Sequence, residues 1–154
     1  MQVTHVSLAL VGRLSLVAAA AALFAACGDS TGPVTLGGSW SFNDAISNSQ
    51  LATSCSSNAS INLTQNGNTF NGSVASGTST CSSSGSSNSA AMDGALFTGG
   101  QIQGTSISFT DDSGCSYTGT VSGNPVNRMS GDESCVVAVS GTNYTFTGTW
   151  QASR

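Results

Sequence analysis

The chain has 154 residues, of which seven are acidic, three are basic and one is histidine, so its formal net charge is −4. Charged residues make up 6% of the sequence, against about 25% in an ordinary soluble domain. No basic patch is present to neutralise phosphates, so the composition excludes nucleic acid as a partner.

A short apolar segment near the start indicates a targeting sequence. Arg13 is followed by an apolar run of 11 residues at 14–24, too short for a bilayer core that needs about 20 residues. It has the length of the apolar region of a secretory signal. The small residues Ala25 and Ala26 then precede Cys27, as signal peptidase cleavage requires. Cys27 is either a modified residue or, after an ordinary signal peptide, a free or paired thiol.

The sequence Leu-Phe-Ala-Ala-Cys at 23–27 resembles the lipobox of bacterial lipoproteins, in which the cysteine is acylated and becomes the mature N-terminus. The resemblance implies a signal peptide over 1–26, a flexible lipid-anchored tether over 27–35 and a folded domain over 36–154. The lipid on Cys27 would make a membrane of the cell envelope one partner.

The residues after Cys27 bear on the choice of membrane. In lipoproteins, an aspartate directly after the cysteine retains the protein in the inner membrane. Here Gly28 holds that position and Asp29 comes one residue later. The resemblance therefore favours the outer membrane over the inner one.

Removal of residues 1–26 also removes His5 and Arg13. Residues 27–154 then contain no histidine and no lysine. Their basic residues are Arg128 and Arg154 and their acidic residues number seven, so the net side-chain charge is −5. A Ser-His-Asp triad, a Schiff-base lysine and a histidine-ligated metal are therefore impossible. We predict a protein that is not an enzyme and has no catalytic residue, metal or cofactor.

From residue 36 onwards, large apolar residues and glycines alternate with Ser, Thr and Asn, which is typical of half-buried antiparallel strands. The predicted strands are 36–46, 59–65, 69–76, 90–97, 100–104, 105–110, 115–122, 128–139 and 143–152. If 90–104 is one bent strand, the count is eight. Eight sequential strands predict an all-β, antiparallel up-and-down barrel, with a two-sheet β-sandwich as the alternative. The serine-rich segments 47–58 and 77–89 are predicted to be loops that form a contact surface.

Turn residues predict the pairing of neighbouring strands. Asn66-Gly67 indicates a hairpin that sets Leu63 opposite Phe70. The turn at 123–127 sets Val121 opposite Met129, and Gly141-Thr142 sets Val139 opposite Tyr144.

Four cysteines follow Cys27, and the hairpins suggest how they pair. The turn at 123–127 places Cys115 directly opposite Cys135, which predicts a cross-strand disulfide. Cys55 and Cys81 lie on either side of the hairpin at Asn66-Gly67, and we predict that they pair as well. Disulfides belong to an oxidising, extracytoplasmic compartment.

Gly38-Ser39-Trp40, in the first predicted strand, is similar to the G-x-W signature of the lipocalin and avidin-type (calycin) barrels. In those barrels the tryptophan closes the base and packs on an arginine near the end of the last strand. The resemblance implies that Trp40 and Arg154 close this barrel. The polar residues of the avidin biotin pocket have no match here, so biotin binding is not implied.

A lipocalin-like barrel implies a small apolar ligand, and the large inward-facing residues are the candidates to contact it. These are Trp40, Phe42, Phe70, Tyr117, Glu133, Phe146 and Trp150. Glu133 has inward parity, so either a bulge returns it to solvent, or it is buried with a raised pKa and binds a polar ligand head.

Two functions therefore remain open. The first is a lipid-anchored module that binds a small apolar ligand in the barrel. The second is a structural or surface-interaction lipoprotein, with a filled barrel and a cell-envelope protein as partner.

Overall fold

A computed structural model describes residues 34–154. The predicted signal peptide, Cys27 and most of the tether lie outside the described residues. The described part consists of nine strands: β1 (Gly38–Asn48), β2 (Thr53–Asn66), β3 (Thr69–Ser83), β4 (Ser86–Ala91), β5 (Leu96–Gln103), β6 (Ser106–Asp111), β7 (Cys115–Ser122), β8 (Arg128–Val139) and β9 (Thr142–Ser153). Among these residues there is no helix of the length and hydrophobicity needed to cross a membrane.

Eight of the strands form a closed antiparallel barrel. Around the barrel their order is β1, β2, β3, β5, β6, β7, β8 and β9, and the last strand pairs with the first. Closure appears in the register, where Ser41 of β1 lies opposite Ser153 of β9. The predicted barrel is confirmed, and the two-sheet alternative is wrong because a sandwich does not join its first and last strands in this way.

The ninth strand, β4, corrects the prediction of a loop at 77–89. β3 continues to Ser83, and β4 pairs with its far half, where Thr78 lies opposite Ala91. Every residue of β4 is exposed. Backbone hydrogen bonds hold these strands together, so no large apolar residue marks them in the sequence. The predicted loop at 47–58 is likewise shorter, because β2 begins at Thr53.

The two parts of the predicted bent strand at 90–104 both run along β3. β4 pairs with the far half of β3, and β5 pairs with the near half, where Phe70 lies opposite Gly100. Between them, Val74 N donates to Ala95 O at 2.8 Å and Met92 N donates to Gly77 O at 3.0 Å. The interruption at 92–95 thus separates one barrel strand, β5, from one strand outside the barrel, β4.

The turns fix the register of each hairpin. β7 and β8 pair as predicted, with Val121 opposite Met129. In the β2–β3 hairpin, Leu63 lies opposite Gly72 rather than Phe70, because the two-residue turn is Gly67-Asn68, one residue later than predicted, with φ 58° at Gly67. In the β8–β9 hairpin, Val139 lies opposite Thr142 rather than Tyr144. Each register shift is an even number of residues, so the apolar side chains keep their inward face.

Opposed glycines let the barrel coil tightly. Gly119 and Gly131 face each other across β7 and β8. A Cβ on Gly131 would overlap the carbonyl oxygen of Thr118, and a Cβ on Gly119 would overlap that of Ser130. The strands approach so closely here that no side chain fits, which is how a small barrel closes.

Candidate functional site

The seven predicted ligand-contact residues are all buried, and four of them, Phe42, Phe70, Tyr117 and Trp150, belong to one connected cluster of aromatic rings. Phe109 stacks on Tyr117 with ring centroids 4.5 Å apart, and Phe42 stacks on Trp150 at 6.0 Å. Phe97 and Phe109, which were not among the predicted set, complete the cluster through edge contacts at 5.3 Å. Rings that meet at these distances fill space with favourable offset and edge geometries. The structure therefore places the predicted ligand contacts in a packed aromatic core.

Two indole nitrogens in this core are satisfied from within the protein. Trp40 Nε1 donates to Leu36 O at 2.8 Å, and Trp150 Nε1 donates to Thr118 O at 3.3 Å. Each indole N–H therefore already has a hydrogen-bond acceptor within the protein. Both tryptophans thus have the contacts of ordinary core residues.

Glu133 is buried rather than returned to solvent by a bulge. It lies directly opposite Tyr117 in an uninterrupted ladder between β7 and β8, and its exposed fraction is 4%. Its Oε2 is buried without a hydrogen-bond partner. Oε1 lies 3.2 Å from Cys135 Sγ, but that sulfur belongs to a disulfide and has no proton to donate. The carboxyl group is therefore poorly satisfied.

Two more carboxylates interact with Glu133. Asp44 of β1 shares the inward parity of Trp40 and Phe42, and it is half-buried. Asp111, at the end of β6, accepts from the Tyr117 hydroxyl at 3.2 Å and from Cys115 N at 2.8 Å. The parity of Asp44 and Asp111 was visible in the sequence, and the sequence interpretation overlooked it. We call Asp44, Asp111 and Glu133 the acidic cluster.

Burial sets the protonation of this cluster. It raises the pKa of Glu133 to about 8, helped by the negative charge of Asp44 and opposed by the polar hydroxyl of nearby Tyr117. Burial also raises the pKa of Asp44, while hydrogen bonds from Ser57 lower it. The pKa of Tyr117 rises through burial and through the negative charge of Glu133. At neutral pH, Glu133 is therefore mainly a neutral carboxylic acid.

The acidic cluster lies away from the end of the barrel that Arg154 closes. The guanidinium carbon of Arg154 lies 4.3 Å from the centroid of the Trp40 ring. Its nitrogens donate to the carbonyl oxygens of Thr35, Gly37 and Val126 at 2.8–3.1 Å. The predicted contact between Trp40 and Arg154 is confirmed. Gln65, which the sequence did not single out, helps by donating to Val34 O at 2.8 Å.

We call this end of the barrel the base, made of the segment 34–37, the turns at 66–69, 103–106 and 122–128, and residues 153–154. Between them lies an open groove of about 890 Å³. Its lining is uncharged, with Val34, Ile102 and Pro125 among its apolar members and Asn68 and Asn124 among its amides. None of the predicted ligand residues lines it.

At the opposite end, the β8–β9 hairpin extends past its neighbours. Cys135 is the last β8 residue paired with β7, so 136–139 pair only with β9. Three valines in this extension are exposed, with exposed fractions of 54% for Val136, 42% for Val137 and 40% for Val139. We call residues 136–145 the valine hairpin. It carries large exposed apolar side chains that the predicted contact surface at 47–58 and 77–89 largely lacks.

Both predicted disulfides are present, between Cys55 and Cys81 and between Cys115 and Cys135. They indicate an extracytoplasmic location. Within residues 34–154, the only group of three potential metal ligands whose ligand atoms all lie within 4.8 Å of one another is Cys115, Glu133 and Cys135. Because its two sulfurs are joined to each other, this group offers a metal one carboxylate and no thiolate.

Comparisons with models of protein families, with curated proteins and with solved structures find no significant match to this chain.

Proposed function

We propose that this protein is a lipid-anchored interaction protein of the bacterial cell envelope, with a filled barrel that holds no ligand. The observation that carries the proposal is the packed aromatic interior, in which the side chains suited to an apolar ligand contact each other. Eight-stranded barrels are just wide enough to be filled by side chains or to hold one small ligand. Here the contacts among these side chains support a filled interior, which would leave the outer surface for interactions.

The anchor is supported by the lipobox-like sequence at 23–27 and by the extracytoplasmic location that the disulfides indicate. We expect the wild-type chain, expressed in a bacterial host, to incorporate radioactive palmitate and to fractionate with membranes. Cys27→Ser abolishes both, while Asp29→Asn keeps the label and serves as the matched control. Palmitate on the Cys27→Ser protein would contradict the anchor. Gly28→Asp should move the protein from the outer to the inner membrane.

The filled barrel is tested by native mass spectrometry of the protein purified from its membrane. We expect the native mass to equal the denatured mass of the acylated chain. A Phe109→Ala variant provides a positive control, because truncation of this central ring opens an apolar cavity that takes up a small aromatic such as benzene. A wild-type adduct that disappears on denaturation would overturn the proposal.

The second candidate is a lipocalin-like binding protein, and the buried, unpartnered Oε2 of Glu133 favours it. A polar ligand head would supply the missing hydrogen bond. This function would produce the native adduct described above, and Glu133→Gln would weaken it.

A further inference from the structure

The two ends of the barrel differ in charge. Among residues 34–154 the basic side chains are Arg128 and Arg154, and both lie in the base. The base segments contain no aspartate or glutamate. The acidic cluster, and Asp112 in the turn before β7, belong to the opposite half. The folded domain is thus acidic overall but carries its positive side chains at one end.

The chain outside the structure enters the barrel at the same end. Val34, the first described residue, lines the groove in the base. Cys27 precedes Val34 by seven residues, a distance of about 25 Å at most when extended. β1 alone has 11 residues, or about 33 Å along its path. A lipid on Cys27 would therefore keep the base close to the bilayer.

We propose that the base is a membrane-contact surface, which rests on a bilayer containing anionic phospholipids and points the acidic half and the valine hairpin away from it. This inference rests on the proposed lipid anchor. The tether length alone would also allow the barrel to lie on its side, and charge selects between the two arrangements. Anionic headgroups attract arginines near the surface and repel Asp112, which is exposed at the opposite end.

The composition of the base fits this contact. The turn at 122–128 presents Pro125 exposed, Val126 half-buried and Arg128 exposed. Arginine beside small apolar residues suits the interfacial region, where charged heads meet phosphates and apolar groups enter among the headgroups. Asn68, Asn124 and Asn127 add neutral donors for phosphate and ester oxygens without adding negative charge.

Hydrogen exchange of the acylated protein in vesicles tests the inference without new cysteines. The protein is reconstituted into neutral phosphatidylcholine vesicles and into vesicles with one third phosphatidylglycerol, and short labelling pulses follow the turn amides. We expect the turns at 66–69 and 122–128 to exchange at least about threefold more slowly in the anionic vesicles. The turns at 112–114 and 140–141, at the opposite end, should exchange equally in both.

A pair of charge variants sharpens the test. Arg128→Gln should lose at least half of the slowing at 122–128, because Arg128 is exposed and its side chain makes no barrel-closing contact of the kind that Arg154 makes. Asp112→Asn, an exposed turn residue at the opposite end, is the matched control and should leave the slowing unchanged. Equal exchange at both ends, or slowing confined to 112–114 and 140–141, would overturn the inference. A protein that does not float with vesicles at all would overturn the anchor itself.

Discussion

Glu133 carries a carboxyl group into an interior whose other charged neighbours, Asp44 and Asp111, are also acidic. Arg128 and Arg154, the basic residues of the described chain, both lie at the base. The protein therefore keeps Glu133 neutral instead of pairing it, and its protonation is linked to folding.

The pH dependence of stability follows from this. The pKa of Glu133 is raised from 4.5 in the unfolded chain to about 8 in the fold, so the folded state binds more protons between these values. The stability it contributes is fully present below pH 4.5 and is lost as the pH rises through about 8. We expect urea unfolding to show falling stability from pH 5 to pH 9. Glu133→Gln should flatten this slope, and the outward-facing Asp132→Asn should not. An unchanged slope in Glu133→Gln would show that Glu133 is not buried.

Trp40 and Arg154 form the second residue-scale prediction. Their stacking should contribute about 0.5–1 kcal/mol, since Arg154 is exposed. Double-mutant coupling between Trp40→Phe and Arg154→Ala should therefore exceed about 0.5 kcal/mol in urea unfolding. Arg154→Lys should not restore stability, because a lysine cannot stack and also reach three carbonyl oxygens. Additive effects would mean that the two side chains do not interact in solution.

At the scale of strands, the sequence was informative wherever large apolar residues alternate. β7 and β8 were predicted with their observed bounds and register. The prediction failed at 77–89, where serines form β4 and the end of β3 through backbone hydrogen bonds and a few hydroxyl contacts, with no buried apolar side chain. Local pattern cannot separate an exposed serine-rich strand from a serine-rich loop, because neither has an apolar face.

The opposed glycines give an element-scale prediction. Gly131→Ala should destabilise the barrel by at least about 1–3 kcal/mol, because the new methyl group overlaps the Thr118 carbonyl. Gly37→Ala is the matched control, since the nearest atom to its Cβ would be Leu63 O at 3.9 Å. Urea unfolding of the two variants measures the difference. A Gly131→Ala protein as stable as Gly37→Ala would show that β7 and β8 lie farther apart.

The two disulfides should differ in their contribution. Their sequence separations are 20 and 26 residues, so loop closure alone gives each about 2–4 kcal/mol. Cys115 and Cys135 are buried in the core, whereas Cys55 is only partly buried. Replacing both Cys115 and Cys135 by alanine should therefore cost more than replacing Cys55 and Cys81, because it also leaves a cavity. Thermal unfolding compares the two double variants, and equal midpoints would contradict this ranking.

At the scale of the whole molecule, strand count and the G-x-W resemblance were enough to predict closure. They did not decide whether the barrel is empty or filled. Interior volume depends on the stagger of the strands, and register shifts between Ser60 and Ile61, between Phe70 and Gly72 and between Thr98 and Gln101 alter that stagger. These shifts lie within strands, where no turn residue marks them in the sequence. The packing of the aromatic core could therefore not be predicted from the sequence. For the same reason the sequence showed that Glu133 has inward parity but did not show whether its side chain is buried.

Closure between β1 and β9 has a consequence for how the protein is made. Neighbouring hairpins, with their disulfides, need only short stretches of chain and can form while the polypeptide is still crossing a membrane as an extended thread. β1 has no such neighbour on its other side, because Asp44 pairs with Trp150. Its open edge must wait until almost the whole domain has been delivered, and such distant pairing is slow to form. During that interval, when β1 has been delivered and β9 has not, one edge of β1 has no partner strand.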